Sequence, residues 1–221
     1  MKSAVILCNG EFPRKEYPVY LLKSAGVIVC CDGVRNVRSL ERLGLEPTVI
    51  VGDMDSASRA VKEKYADRLV RIGEQDDNDL AKAFALLRAR WPEISEIHIL
   101  GAGGRNEAHT VGNLGWLMEW ERRCLEETGT GLSGRGVNID MVSDWSTAFA
   151  VSGSTALHVG AGRKISFFTT DPSLEIKSKG LQWPLDPVKF DAWWKATLNR
   201  ASEDVVSLHF NHPAPLLVIL D

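Results

Sequence analysis

The chain has 221 residues, 44% of them hydrophobic, enough for one large or two small domains with a substantial core. A formal net charge of -3, from 26 Lys and Arg against 29 Asp and Glu, offers no basic footprint for nucleic acid and no polybasic anchor for a membrane. No apolar run approaches the length of a bilayer span, so the expected partners are small molecules.

Residues 4–8 (AVILC) form a first apolar strand, followed by Asn9, Gly10 and a Pro-marked loop. A helix over residues 17–25, stopped by Gly26, leads to a second strand at Val27–Cys31, which ends at Asp32 and Gly33. Val34, Val37, Leu40 and Leu43 then recur near helical spacing and Gly44 closes the segment, so a crossover helix returns the chain to a parallel third strand at residues 49–51. A helix over 57–68, a short strand at 69–72 and a helix carrying Leu80, Ala83, Phe84 and Leu87 on its apolar face follow. The fifth strand is Glu96–Leu100, and a further helix follows Arg105. Strand and helix alternating five times predict an α/β domain with a parallel, Rossmann-like sheet. Cys8, Cys30 and Cys31 fall in apolar runs and Cys124 ends a helix-like segment. They read as small core hydrophobes in a reducing compartment, and with no signal-like segment the chain is expected in the cytoplasm.

The polar exceptions gather on one edge. Asn9-Gly10, Asp32-Gly33, Gly52-Asp53, Gly73 with Asp76 to Asp79, and Gly101 to Arg105 each begin near a strand's carboxyl end, where open α/β sheets bind ligands. Asp53 and Asp55, separated by Met54, suit one Mg²⁺ that keeps water and phosphate oxygens in its other positions. Alternatively Asp55 or Ser56 caps the next helix, as Asp77 or Asn78 can cap the helix after it. Asp79 and Lys82 are helical neighbours at i, i+3, either a simple ion pair or an acid and a base aimed at phosphate. His109, Asn113, Trp116 and Trp120 share one helical stripe, with the tryptophans expected in the core and His109 and Asn113 toward the ligand. Gly129, Gly131 and Gly134 spell GxGxxG, but this run follows a helix and precedes a strand, the wrong order for a dinucleotide fingerprint.

Taken together, Asp32-Gly33 with Asn36, Gly52-Asp53-Met54-Asp55-Ser56, Asp76-Asp77-Asn78-Asp79 with Lys82, and Gly103-Gly104-Arg105 with His109 and Asn113 resemble the thiamine pyrophosphokinase family in order, spacing and placement. The chain departs from the family pattern at Asn78, usually threonine, and behind Arg105, where Glu107-Ala108-His109 replaces a closer Asp-His pair. The resemblance implies transfer of the diphosphoryl group of ATP to thiamine. Asp53, Asp55 and Asp79 would hold Mg²⁺ with Asp32 in reach, and Lys82 and Arg105 would offset charge. Asn9, Gly33, Asn36, Gly52, Ser56, Asn78, Gly104, His109 and Asn113 would contact the nucleotide. Rival expectations are a diphosphokinase for another small alcohol, such as a pterin, and a nucleotide-binding regulatory module without catalysis.

The charged, then glycine-rich, residues 121–136 suggest a boundary between a catalytic domain at 1–136 and a second domain at 137–221. Short strand-like runs at 137–142, 147–151, 156–159, 164–169, 174–178, 205–210 and 216–220 predict an antiparallel β-sandwich there. Gln182 and Trp183, and Thr197-Leu198-Asn199 with leucine in place of the usual serine, resemble the family's thiamine-binding elements. Gly180, Pro184 and Pro187 favour an exposed loop for Trp183 over a place in the sandwich core. The resemblance further implies a homodimer with a cross-subunit thiamine site.

Overall fold

The computed structural model of the protein describes residues 3–31, 34–54, 58–73 and 76–221. By its contacts the chain divides into two compact units, Met1–Asn113 with Val137–Asp144, and Leu114–Gly136 with Trp145–Asp221.

In the first unit, strands Ser3–Leu7 (β1), Val27–Cys31 (β2), Val49–Gly52 (β3), Leu69–Arg71 (β4), Glu96–Leu100 (β5) and Asn138–Val142 (β6) form one parallel sheet in the order β6-β5-β1-β2-β3-β4. β2 and β3 are buried at every position, as a sheet covered on both faces requires of its inner strands. The helices are Glu16–Ser24 (α1), Val34–Arg42 (α2), Arg59–Lys64 (α3), Asp79–Arg90 (α4) and Glu107–Thr128 (α5). The third helix is shorter than expected. Its cap is Ser58, whose Oγ accepts from Val61 N at 3.4 Å, in place of the expected Asp55 or Ser56. Strand order reverses between β1 and β5, and the crevice beyond their carboxyl ends is the ligand position of doubly wound sheets.

One strand changes allegiance. Residues 137–142, expected to open the sandwich, instead extend the parallel sheet as β6, and residues 137–144 belong with the first unit. A parallel neighbour demands a long crossover, which α5 supplies; the period-two pattern of a strand carries no record of which sheet it joins.

The second unit contains Thr147–Val151 (β7), Thr155–His158 (β8), Lys164–Phe168 (β9), Ile176–Lys179 (β10), Ala196–Arg200 (β11), Val205–Phe210 (β12) and Leu216–Leu220 (β13). They make two antiparallel sheets, β11-β9-β13-β7 and β10-β12-β8. Phe167, Ile165 and Val218 from one sheet and Leu157, Val206 and Leu208 from the other share a single apolar core, the packing of a sandwich. In the same unit a Cβ at Gly131 would overlap the carboxylate of buried Glu121, which accepts from Leu132 N at 3.0 Å. That close approach accounts for a glycine inside the GxGxxG run.

His98 of β5 faces Asp140 of β6, Nδ1 to Oδ1 at 2.7 Å. Burial opposes the charged ring, but the hydrogen bond and charge of Asp140, aided by Glu96, outweigh it and raise the His98 pKa above its usual 6.5. A raised folded-state pKa stabilises the fold at pH values below the unfolded one, and that contribution is lost as pH rises through the folded value. Thermal melts should therefore show a pH-dependent loss of stability above about pH 6.5 that is absent in Asp140→Asn. Equal pH profiles for the two proteins would contradict this assignment.

Candidate active site

The cleft begins with two loops stitched together. Past the last paired residues of β1 and β5, Cys8 N donates to Leu100 O (2.8 Å), Gly10 N to Gly101 O (2.6 Å) and Glu11 N to Gly103 O (2.8 Å). A Cβ at Gly10 would overlap the carbonyl oxygens of Gly101 and Gly103, so only glycine permits the approach. Asn36 of α2, 2% exposed, donates its Nδ2 to the carbonyls of Cys8 and, at 3.3 Å, Gly10. It was expected at the nucleotide; its Nδ2 holds the loop from behind, while its buried Oδ1 has no hydrogen-bond partner among the described residues.

A cleft of about 380 Å³ opens over this seam, lined by Asn9, Asp53, Asp77, Asn78, Asp79, Lys82, Arg105, His109 and Asn113, among others. Met54 takes a left-handed backbone (φ 66°) and buries its side chain in the core, so the turn after β3 leaves Asp53 at the rim. Asn78 is the cap of α4, accepting from Ala81 N at 2.8 Å, while its Nδ2 approaches Asn113 Oδ1 at 3.4 Å. Asn113 also donates to Ala102 O at 2.8 Å, tying α5 to the glycine-rich loop. Arg105 Nη1 donates to Asn9 O at 3.0 Å, which holds the guanidinium across the two loops. Gly104 is left-handed (φ 82°), and Glu11 fills the space where a side chain would stand.

The cleft sets one nearly buried cation among carboxylates. Lys82 is only 7% exposed yet faces the cleft. Enclosure by the cleft walls, joined by the negative charge of Asp53, holds the Asp79 carboxyl above its usual range against the pull of Lys82 and His109. Two carboxylates that repel each other through a shared space suit a divalent cation, and Mg²⁺ needs few protein ligands because it retains water. Among the described residues no group of three or more His, Cys, Asp or Glu is arranged to hold a metal. Asp32, Gly33, Asp55 and Ser56, all expected at this rim, lie outside the described residues.

Three lining residues escaped the sequence reading. Cys8 and Cys31 were assigned to the core; both are buried, but they also floor the cleft, with Sγ atoms 3.8 Å apart. The hydrogen bond to Cys8, with burial, pushes the Cys31 thiol well above its usual pKa. Asn106 lines the cleft and caps the first turn of α5, accepting from His109 N at 3.1 Å. Its position three residues before His109 was the available signal. Trp116 and Trp120, expected in the core, are only partly buried and stack on each other with centroids 6.0 Å apart.

In the second unit Trp183 is 55% exposed, an exposed loop residue as expected, and Gln182 and Thr197 are exposed as well. Asn199 is not; it is 5% exposed, and its amide is bonded to the Trp183 backbone.

A parallel sheet with a cleft of acids and cations at its switch point is followed in sequence by an antiparallel sandwich. Residues 19–127 match the thiamin pyrophosphokinase catalytic domain, and residues 147–214 match the thiamin pyrophosphokinase substrate-binding domain. The chain belongs to the thiamin pyrophosphokinase family. It is 26% identical over 211 residues to thiamine pyrophosphokinase 1 of Oryza sativa subsp. japonica, covering 83% of this chain and 74% of the relative. The thiamine pyrophosphokinase structure from Bacillus subtilis superposes with a TM-score of 0.75 at 18% identity, over 100% of this chain and 99% of that one. The one from Candida albicans gives 0.77 at 16% identity, over 99% and 89%. At these identities the structural likeness speaks to the fold.

Asn36 provides the test of how the cleft wall is built. Asn36→Ala should cost about 1–3 kcal/mol in urea unfolding, because the buried Cys8 carbonyl and the part-buried Gly10 carbonyl lose their donor, and should weaken nucleotide binding. Unchanged stability with weakened nucleotide binding would return Asn36 to direct ligand contact.

Proposed function

We propose that this protein transfers the terminal diphosphoryl group of ATP to the hydroxyl of thiamine, releasing AMP. The observation that carries the reading is the convergence of Asp53, Asp79, Lys82 and Arg105 on one cleft at the sheet's switch point, in a chain whose two parts match the family's catalytic and substrate-binding domains. The hydroxyl oxygen of thiamine bonds to the β-phosphorus of ATP as the bond from that phosphorus to the AMP oxygen breaks. Such a transition state is loose, so positioning and charge neutralisation do most of the work, and no protein nucleophile is required.

We assign the site residues the following roles. Asp53 and Asp79, with Asp55, would hold Mg²⁺, which when bound offsets charge on the polyphosphate. Lys82 supplies a cation from within the cleft wall, where low exposure strengthens its field. Arg105, tied to Asn9 O, presents its remaining donors to phosphate oxygens. Asn9, Asn78, His109 and Asn113 line the same space for the nucleotide, with Asp32, Gly33 and Ser56 assigned to the same rim. Trp183 offers an exposed aromatic face to the permanent positive charge of the thiazolium, an attraction of about 0.5–2 kcal/mol, and Gln182 and Thr197 add polar contacts. The functional unit we assign is a cytoplasmic homodimer in which the Trp183 loop of one copy serves the cleft of its partner.

Product analysis with Mg·ATP and thiamine tests the reaction: AMP with thiamine diphosphate is expected. ADP as product, or tight ATP binding without turnover, would reject it. Asp53→Asn and Asp55→Asn should each abolish turnover with the fold intact; near-normal activity of both at limiting Mg²⁺ would remove the metal assignment. Light scattering at working concentration should give a dimer, and a fully active monomer would defeat that part.

A further inference from the structure

Strand β11 is the edge of its sheet and pairs with β9 alone in that sheet. Its register slips: Ala196 faces Phe167 and Asn199 faces Ile165, so three steps on β11 match two on β9. The extra residue is a bulge, and it falls where Leu198 adopts a left-handed backbone (φ 56°) with its N–H donated to Ser166 Oγ at 2.9 Å. Regular alternation would have turned Leu198 inward and Asn199 out. The bulge inverts the phase, so that apolar Leu198 is 67% exposed and polar Asn199 is 5% exposed. A fold that exposes the leucine and buries the amide, through a backbone conformation unfavourable to leucine, needs that amide inside.

What the amide does there is specific. Asn199 Nδ2 donates to Trp183 O at 2.6 Å, and Asn199 Oδ1 accepts from Trp183 N at 3.2 Å and from Arg200 N at 2.8 Å. Both backbone polar groups of residue 183 are thus held by one side chain, and the acceptor oxygen is saturated. The loop around Trp183 is anchored on either side. Gly180 is left-handed, and a Cβ on it would overlap Val205 O. Gln182 N donates to Arg200 O at 2.8 Å, and Leu185 N donates to Ser178 Oγ at 2.8 Å. Leu181 and Leu185 are buried while Gln182, Trp183 and Pro184 stay exposed. Asn199 grips the middle of a loop whose ends are already fixed.

We infer that Asn199 is a positioning residue, which presents the Trp183 ring to an aromatic cationic substrate by clamping the residue-183 backbone and makes no substrate contact of its own. The inference rests on the reading that Trp183 meets thiamine. A ring held in its binding pose before the ligand arrives avoids the ordering cost of binding, so the effect falls on the use of thiamine and leaves the ATP cleft alone.

A double-mutant cycle of Asn199→Ala with Trp183→Ala tests it. Asn199→Ala should raise the thiamine KM about tenfold, as Trp183→Ala does, with kcat and the ATP KM within about twofold; in the Trp183→Ala background it should add nothing. Backbone hydrogen exchange at the Gln182 and Trp183 amides should quicken in Asn199→Ala. If that variant does not fold, Asn199→Asp, which keeps the acceptor and loses the donor, takes its place with the same expected direction. Additive effects on the thiamine KM would make Asn199 a direct contact and overturn the inference. So would a thiamine KM left unchanged by Asn199→Ala but raised by Trp183→Ala, or unaltered exchange at the Gln182 and Trp183 amides. No effect of Trp183→Ala itself would instead defeat the reading of Trp183, and this inference with it.

Discussion

Three backbone hydrogen bonds beyond the ends of β1 and β5 determine where chemistry can occur in the first unit. They close the loop after one strand onto the loop after the other, at the one place in the sheet where the strand order turns back. A gap there would admit water beneath the cleft; a side chain there would push the loops apart. Gly10 solves the second problem by lacking a Cβ, and Asn36 answers the first from below by satisfying carbonyls that the seam leaves over. The charged groups above are carried by other elements, the turn after β3 and the starts of α4 and α5, which gives the cleft a rigid floor with acids and bases around its rim.

Much of this is legible in the amino-acid order because a parallel sheet imposes strong patterns. Apolar runs marked β1, β2 and β3, the alternating EIHIL marked β5, and the glycines and acids that follow them mark the carboxyl edge. The pattern stops being informative where period two is shared by both kinds of sheet, which is why the residues of β6 were assigned to the sandwich. It fails again at β11, because a bulge reverses inside and outside without any change in composition. Asn36 and Asn199 were both read as ligand contacts. Each is an asparagine beside a family-like motif, and only burial distinguishes an amide that meets a ligand from one that holds the backbone that does. Cys8 and Cys31 illustrate the converse: residues at the last turn of a buried strand belong to the core and to the site above it at once.

Under the proposed function the two units would use opposite means of presenting a ligand-facing group. In the first, cations and carboxylates are gathered at a fixed rim, where the low exposure of Lys82 intensifies its field. In the second, an apolar ring is pushed into solvent and steadied from behind, at a cost in exposed hydrophobic surface that a plain sandwich would avoid. An anion and an aromatic cation call for these two solutions, and neither would serve the other.

The position of β6 in the chain has a consequence for biosynthesis. Its residues are made only after α5, so as the polypeptide leaves the ribosome β5 emerges with one flank unpaired, and β5 carries the fully buried Ile97 and Ile99. At usual rates of translation the missing neighbour follows some seconds later. During that interval the nascent chain carries an open parallel edge, the kind of surface that recruits chaperones or other strands. A fragment in which β5 keeps both of its neighbours therefore has to run past α5 and include β6.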